Sequence, residues 1–247
     1  MLRGLITVRT LSSRLPGKCF LSFGKYSVLE YVILRSKYYK INPIICTTNH
    51  KSDNKIIDIA NKLKIPYFRG STNNKIKRWR DCANHFDLNF FHTIDADDVF
   101  FCGEEMHASI KFLNNNKKLD IIYPSKLSSS GSAILGYSFT NAAINELAKQ
   151  IPQNRDTEMI NPYIEKNKKL KYKIFRDPIN YKYKARMTLD YIEDYIFLDT
   201  LRSKLIMYPN RKNIFDLLKK QPELNKINYN KNALWKKNQL LKTNKYK

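Results

Sequence analysis

The sequence predicts an α/β protein with a doubly wound, mostly parallel sheet and an inserted α+β subdomain. Two observations predict it. Short apolar runs rich in β-branched residues alternate with stretches of helical period from residue 5 to residue 68, an order that builds a parallel sheet. The polar, charged loops follow directly on the strands, where ligands of such sheets sit.

Taken in order, Leu5, Ile6 and Val8 form the first strand, too brief for a helix. Ser27 opens a helix that keeps its apolar period to Tyr39. Pro43 to Thr47 reads as the second strand. Ser52 or Asp53 then caps a helix whose buried stripe is Ile56, Ile57, Ile59, Ala60 and Leu63. Ile65 to Phe68 is a third strand, Leu88 to Ile94 a fourth, and Leu119 to Tyr123 a fifth after a helix ending near Asn116. Between 125 and 184 the pattern changes to a Ser-rich turn, a helix over Ala142 to Lys149 and a strand over Tyr172 to Phe175. This segment is expected to be an inserted unit for substrate binding or dimerisation. A further strand is expected to end at Leu189, ahead of a helix with Glu193 and Asp194 in its first turn. The division expected is therefore a core of 1–209 that includes the 125–184 insertion, and a basic helical appendage over 210–247 with a frayed end.

The loop after the first strand, Val8-Arg9-Thr10-Leu11-Ser12-Ser13-Arg14-Leu15-Pro16-Gly17-Lys18, is built to hold phosphates. Arg9 and Arg14 carry planar forks, Lys18 a point charge, and Ser12, Ser13 and the backbone at Gly17 supply hydrogen-bond donors. Pro16 fixes φ, and Gly17 opens a backbone conformation that side chains disfavour. It is not a Walker loop, since Ser12 stands where that motif needs glycine.

The fourth strand runs into Asp95-Ala96-Asp97-Asp98. Residues two apart on an extended chain face the same way, so Asp95 and Asp97 can share a cleft and offer hard oxygens to Mg²⁺, or they can cap the helix near Glu104. Asp190, at the exit of the expected last strand, reads equally as a cap. A cationic loop for a polyphosphate and two separate aspartates for a metal nevertheless make one coherent set, because phosphoryl and nucleotidyl transfer ask mainly for charge neutralisation and positioning. The four histidines, His50, His85, His92 and His107, share no motif.

The net charge is +23, from 45 Lys and Arg against 22 Asp and Glu. The cations are scattered on both sides of every apolar run, which argues against a nucleic-acid footprint except after Arg211. Cys19, Cys46, Cys82 and Cys102 form no Cys-x-x-Cys pair and suggest neither zinc nor a disulfide framework. No run approaches the roughly 20 apolar residues of a membrane span. A cytoplasmic protein that binds no membrane is the expectation.

Arg9-x-x-Ser12-x-Arg14-Leu15-Pro16-Gly17-Lys18 resembles the signature of the cytidylyltransferases that make CMP-activated acidic sugars. These are the CMP-Kdo and acylneuraminate synthetases and, most nearly, the spore coat polysaccharide biosynthesis protein F type. The resemblance runs on through Val28-Leu29-Glu30, Phe68-Arg69-Gly70-Ser71, the Asp97 region, Asp156-x-Glu158, Pro162-Tyr163-Ile164, Arg186-x-Thr188-x-Asp190-x-x-Glu193-Asp194 and Pro222-Glu223-Leu224. It implies the nucleotide-diphospho-sugar transferase fold and an enzyme that couples CTP to an acidic sugar for surface polysaccharide biosynthesis. By that resemblance Arg14 and Lys18 are catalytic, holding the CTP phosphates. Arg9, Ser12, Ser13, Gly17, Thr47, Thr48, Arg69 and Ser71 bind nucleotide, with Thr47 or Thr48 near the base, and Asp97 and Asp190 bind Mg²⁺. A homodimer is plausible through the insertion. The chain departs from the family where Thr-Gly-Asp, a small residue, Pro and Leu are usual, and carries extra acid at Asp95 and Asp98. The rival readings are a sugar transferase of the Asp-x-Asp type, which uses a nucleotide sugar, and a non-catalytic nucleic-acid binder.

Overall fold

Among the described residues, seven strands form one sheet and two short ones a separate hairpin. The computed structural model describes residues 2–126, 128–152, 154–176 and 185–244, with side chains through residue 238. In chain order the elements are β1 (Arg3–Thr7), the small hairpin β2 (Ser22–Phe23) and β3 (Tyr26–Ser27), α1 (Val28–Tyr38), β4 (Asn42–Thr48), α2 (Asn54–Lys62), β5 (Tyr67–Gly70), α3 (Lys75–His85), β6 (Phe90–Asp95), α4 (Gly103–Asn115) and β7 (Ile121–Tyr123). Then follow β8 (Ser138–Thr140), α5 (Asn141–Lys149), α6 (Asn161–Lys166), β9 (Tyr172–Ile174), α7 (Ile192–Lys204), α8 (Arg211–Lys220) and α9 (Lys231–Asn244).

β5, β4, β1 and β6 pair in parallel, β8 lies antiparallel between β6 and β7, and β9 pairs parallel with β7. The period of two along each strand sorts side chains to the two faces. Leu5, Ile44 and Phe91 pack with Ile76, Trp79 and Ile144 of α3 and α5. Ile6, Ile45 and Ile94 pack on the other face with α1, α2, α7 and α8. With both faces covered, these strands read as continuous apolar runs rather than alternating ones. The capping box at the start of α1 is present: Glu30 accepts from the Ser27 amide at 2.7 Å, and the Ser27 hydroxyl accepts from the Glu30 amide at 3.3 Å.

The structure departs from the sequence reading at several points. Helix α3 was not expected, because its run of cations hides a stripe of Ile76, Trp79 and Ala83 that is buried at helical spacing. No strand lies over 185–190. That stretch is held instead by single amide bonds, Met187 to the Gly131 carbonyl at 2.8 Å and Leu189 to the Asp97 carbonyl at 2.9 Å. Within 125–184, β8 and β9 join the main sheet itself; residues 127, 153 and 177–184 lie outside the described residues. The chain after 210 packs against the body rather than standing clear. Buried Asn228 donates to the Arg186 carbonyl at 3.0 Å and to Asp194 at 2.9 Å, and Lys231 pairs with Glu193 at 2.9 Å. Residues 245–247 lie outside the described residues.

Candidate active site

The carboxyl ends of β1, β4, β5 and β6 are aligned: Thr7 lies beside Cys46 and Asp95, and Thr48 beside Gly70. Chain leaving these ends surrounds a cleft of 640 Å³. Into it the loop after β1 sends Arg9, Ser12, Ser13, Arg14 and Lys18, and the end of β6 sends Asp95, Asp97 and Asp98.

Lys18 is the centre. Its Nζ donates to Asp97 at 2.6 Å, to the Leu189 carbonyl at 2.6 Å and to Asp190 at 3.1 Å. Arg14 Nη2 donates to the same Asp190 oxygen at 2.6 Å. Burial alone pulls the Lys18 ammonium down, but the carboxylates of Asp97 and Asp190 more than reverse this and hold it above its ordinary value. Lys18 is therefore charged at neutral pH. Arg14 Nη1 is buried and has no hydrogen-bond partner among the described residues. A buried guanidinium nitrogen without an acceptor is costly to leave so, and an anion in the cleft relieves it.

The acids divide into two groups. Asp190 is only 2% exposed; burial raises its pKa, but Lys18, Arg14 and Arg186 outweigh burial and bring it below the usual carboxylate value. Asp95, Asp97 and Asp98 lie with a carboxylate oxygen of each within 4.8 Å of the others. Burial, opposed at Asp97 by Lys18, together with their repulsion of one another and of Asp190, pushes Asp97 and Asp98 up. Lys75 takes part of the load through Asp95 at 2.8 Å. Hard oxygens crowded this closely fit a divalent cation such as Mg²⁺, which relieves the repulsion and takes its remaining ligands from water and phosphate.

Thr47, Thr48, Arg69 and Ser71, expected at the nucleotide, do not line this cleft. The Thr47 and Thr48 hydroxyls are buried and donate to Asp53, which also accepts the Thr10 amide at 2.8 Å. Asp53 holds the N-cap position of α2 but makes no side-chain capping bond there; its carboxylate ties the phosphate loop to the end of β4. Several donors on its carboxylate outweigh burial and hold it in the charged form. Arg69 binds the Thr48 carbonyl at 3.0 Å and the His50 carbonyl at 2.8 Å, locking the next turn, while the Ser71 hydroxyl accepts the Asn74 amide at 3.1 Å. Gly17 shapes the loop with φ 68° and donates its amide to the Thr10 carbonyl at 3.2 Å, a conformation that favours glycine. His92, pulled down to about 3 by burial, bonds Ser138 at 2.8 Å inside the sheet and is structural.

Other lining residues were missed. Lys75 and Arg78 come from α3, Trp235 and Lys236 from α9. Asn74, whose side chain accepts the Lys77 amide at 2.8 Å, was a legible cap for α3. Nothing in the sequence brought residue 235 to residue 190.

No family profile matches the chain. An uncharacterized protein of Methanocaldococcus jannaschii is 28% identical over 235 residues, which cover 92% of this chain and 94% of that one. A solved cytidylyltransferase from Leptospira borgpetersenii is 27% identical with a TM-score of 0.82, covering 90% of this chain and 95% of that one. A CMP:2-keto-3-deoxy-manno-octonic acid synthetase, solved in complex with CTP, shares the fold at TM-score 0.64 and 9% identity, over 83% of this chain and 99% of that one. With the nucleotide-diphospho-sugar transferase fold and this likeness, the chain is an enzyme, a nucleotidyltransferase similar to cytidylyltransferases.

Proposed function

We propose that the enzyme transfers CMP from CTP to an acidic sugar, giving a CMP-sugar and pyrophosphate for surface polysaccharide biosynthesis, as in the spore coat polysaccharide type of the family. One observation carries this reading: Lys18 and Arg14, from the loop after β1, meet Asp97 and Asp190, from two distant parts of the chain, in one cleft. The likeness to a cytidylyltransferase over most of both chains supports it. Four buried free thiols fit a reducing compartment, the cytoplasm.

In the resting site Lys18 and Arg14 are neutralised by acids. A triphosphate competes for them: its oxygens take the two cations, with Ser12 and Ser13 as further donors beside them. Asp97 and Asp190, thereby released, would hold Mg²⁺, with Asp95 and Asp98 alongside, and the ion would supply neutralisation of the α-phosphate and of the leaving pyrophosphate. A sugar hydroxyl attacks the α-phosphorus, the α–β bridging bond breaks, pyrophosphate leaves, and the hydroxyl proton goes to solvent. Once turned to the phosphates, Lys18 and Arg14 stabilise the charge that builds on the departing oxygens. The segment 125–184 contributes to recognition of the sugar, and pairing of two subunits through it is an expectation that sedimentation tests.

Pyrophosphate release is the test, measured with each of the four nucleoside triphosphates against a panel of acidic sugars, with and without Mg²⁺. Release specific to CTP, to a sugar acid and to the cation supports the reading. Hydrolysis of a nucleotide sugar to a nucleoside diphosphate, with no release from CTP, replaces it with the Asp-x-Asp type of transfer.

A further inference from the structure

Thr72, Asn73, Lys75 and Arg78, which line the cleft, follow the edge strand β5. The Ser-rich turn at 128–132 precedes β8, on the far side of β6, and with Thr188, Asp190 and two side chains of α9, Trp235 and Lys236, it lines the same cleft. We propose that α9 forms the wall that recognises the acceptor: the Trp235 ring stacks on the sugar and the Lys236 ammonium pairs with its carboxylate. The inference rests on the nucleotidyl-transfer reading and deepens it.

Three features of this wall support a built site rather than a passing contact. Its position is fixed through several bonds: Asn228 to the Arg186 carbonyl and Asp194, Lys231 to Glu193 at 2.9 Å, and Asn238 to the Tyr191 hydroxyl at 3.2 Å. Trp235 lies 5.3 Å from the Arg186 guanidinium, which itself donates to Asp190 at 3.1 Å, so the indole is placed against the reacting centre through one intervening side chain. Arg186 Nη1 is buried and has no hydrogen-bond partner among the described residues. It faces Gly131, whose φ of 105° favours glycine and whose missing side chain keeps the turn open there.

The chemistry of the wall is that of sugar-acid recognition. An aromatic face takes the apolar side of a pyranose, the Ser129 hydroxyl serves the ring hydroxyls, and Lys236 gives the wall a positive charge for a carboxylate, while Arg186, neutralised by Asp190 and Asp194, only backs the indole. A neutral sugar leaves that charge unanswered.

The experiment is steady-state pyrophosphate release by the full-length enzyme with Mg²⁺ and CTP. The acceptors are 2-keto-3-deoxy-manno-octonate, N-acetylneuraminate and a neutral hexose, tested with the variants Trp235→Ala, Trp235→Phe, Lys236→Gln and Lys236→Arg. The expected result is a KM for the sugar acid raised about tenfold in Trp235→Ala and Lys236→Gln, equivalent to about 1.4 kcal/mol. The KM for CTP stays within about twofold, and Trp235→Phe and Lys236→Arg recover most of the loss. A merely structural role for α9 predicts equal changes in both KM values with no rescue, and that result overturns the proposal. So does turnover of the neutral hexose in preference to the sugar acids. A rise confined to the KM for CTP assigns Trp235 to the base and overturns it as well. If the unaltered enzyme releases no pyrophosphate from CTP with any acceptor, the parent reading falls and takes this one with it.

Discussion

Two acidic groups meet at Lys18, and they are built on opposite principles. Asp190 and Asp194 surround the fully buried Arg186, which donates to Asp194 at 2.8 and 3.0 Å and to Asp190 at 3.1 Å. Asp194 also accepts the amides of Asp190 and Tyr191 at 3.0 Å each and the Asn228 amide group. Every charge there has an opposite charge. Asp95, Asp97 and Asp98 instead crowd together with two lysines between them, Lys18 and Lys75, and Asp97 and Asp98 are pushed toward protonation. Asp194 is satisfied and positions Arg186 and the start of α7; the triad is left in tension, and with Asp190 it faces the place where a cation and phosphates have something to gain.

The largest effect comes from breaking the satisfied side. Arg186→Ala leaves the buried Asp194 carboxylate without its charged partner and takes one of three cations from Asp190; it is expected to cost about 3–5 kcal/mol, read as a lower midpoint of urea unfolding. Next is the junction itself. Lys18→Ala is expected to cut kcat by about 10²–10³, in the range of losing one preorganised charge donor, while circular dichroism stays native. Asp97→Asn is expected to act in the same direction.

Asp53→Ala tests the buttress beneath the phosphate loop. It orphans the Thr47 and Thr48 hydroxyls and the Thr10 amide, and is expected to cost about 2 kcal/mol of stability. The smallest effect is at the tense side. The pKa of Asp98 is raised in the fold above its unfolded value, so the folded state binds more protons and stability falls as pH rises between the two values. Asp98→Asn removes that fall. It is expected to raise Tm at neutral pH and to lose the advantage in acid, below the ordinary carboxylate range. A variant no more stable than the parent at neutral pH means that the triad is not in tension.

The legible parts of this molecule were those that short-range physics dictates. The apolar runs at Leu5 and Ile6, at Ile44 and Ile45 and at Phe91 gave the strands, and the Ser27 and Glu30 pair gave the start of α1. The phosphate loop showed its chemistry because its cations, hydroxyls and Gly17 are contiguous. Asp53 looked like a cap because its real partners, Thr10 and Thr48, are brought to it only by the parallel pairing of β1 with β4. Asp190 looked like a cap too, and its company of Arg14 and Lys18 is more than 170 residues away in the chain. Trp235 carried no signal at all, since its meaning depends on Asn228 anchoring a helix that composition alone marks as a solvated tail.

The claim on which the rest depends is that phosphates and the carboxylates of Asp97 and Asp190 share one centre. Anomalous diffraction from crystals grown with CTP and Mn²⁺ tests it directly. A single strong peak in contact with oxygens of both Asp97 and Asp190, with Lys18 and Arg14 turned from those acids to the triphosphate, is the predicted result. Density for CTP with the Lys18 bridge to Asp97 and Asp190 unchanged and no manganese between them contradicts it.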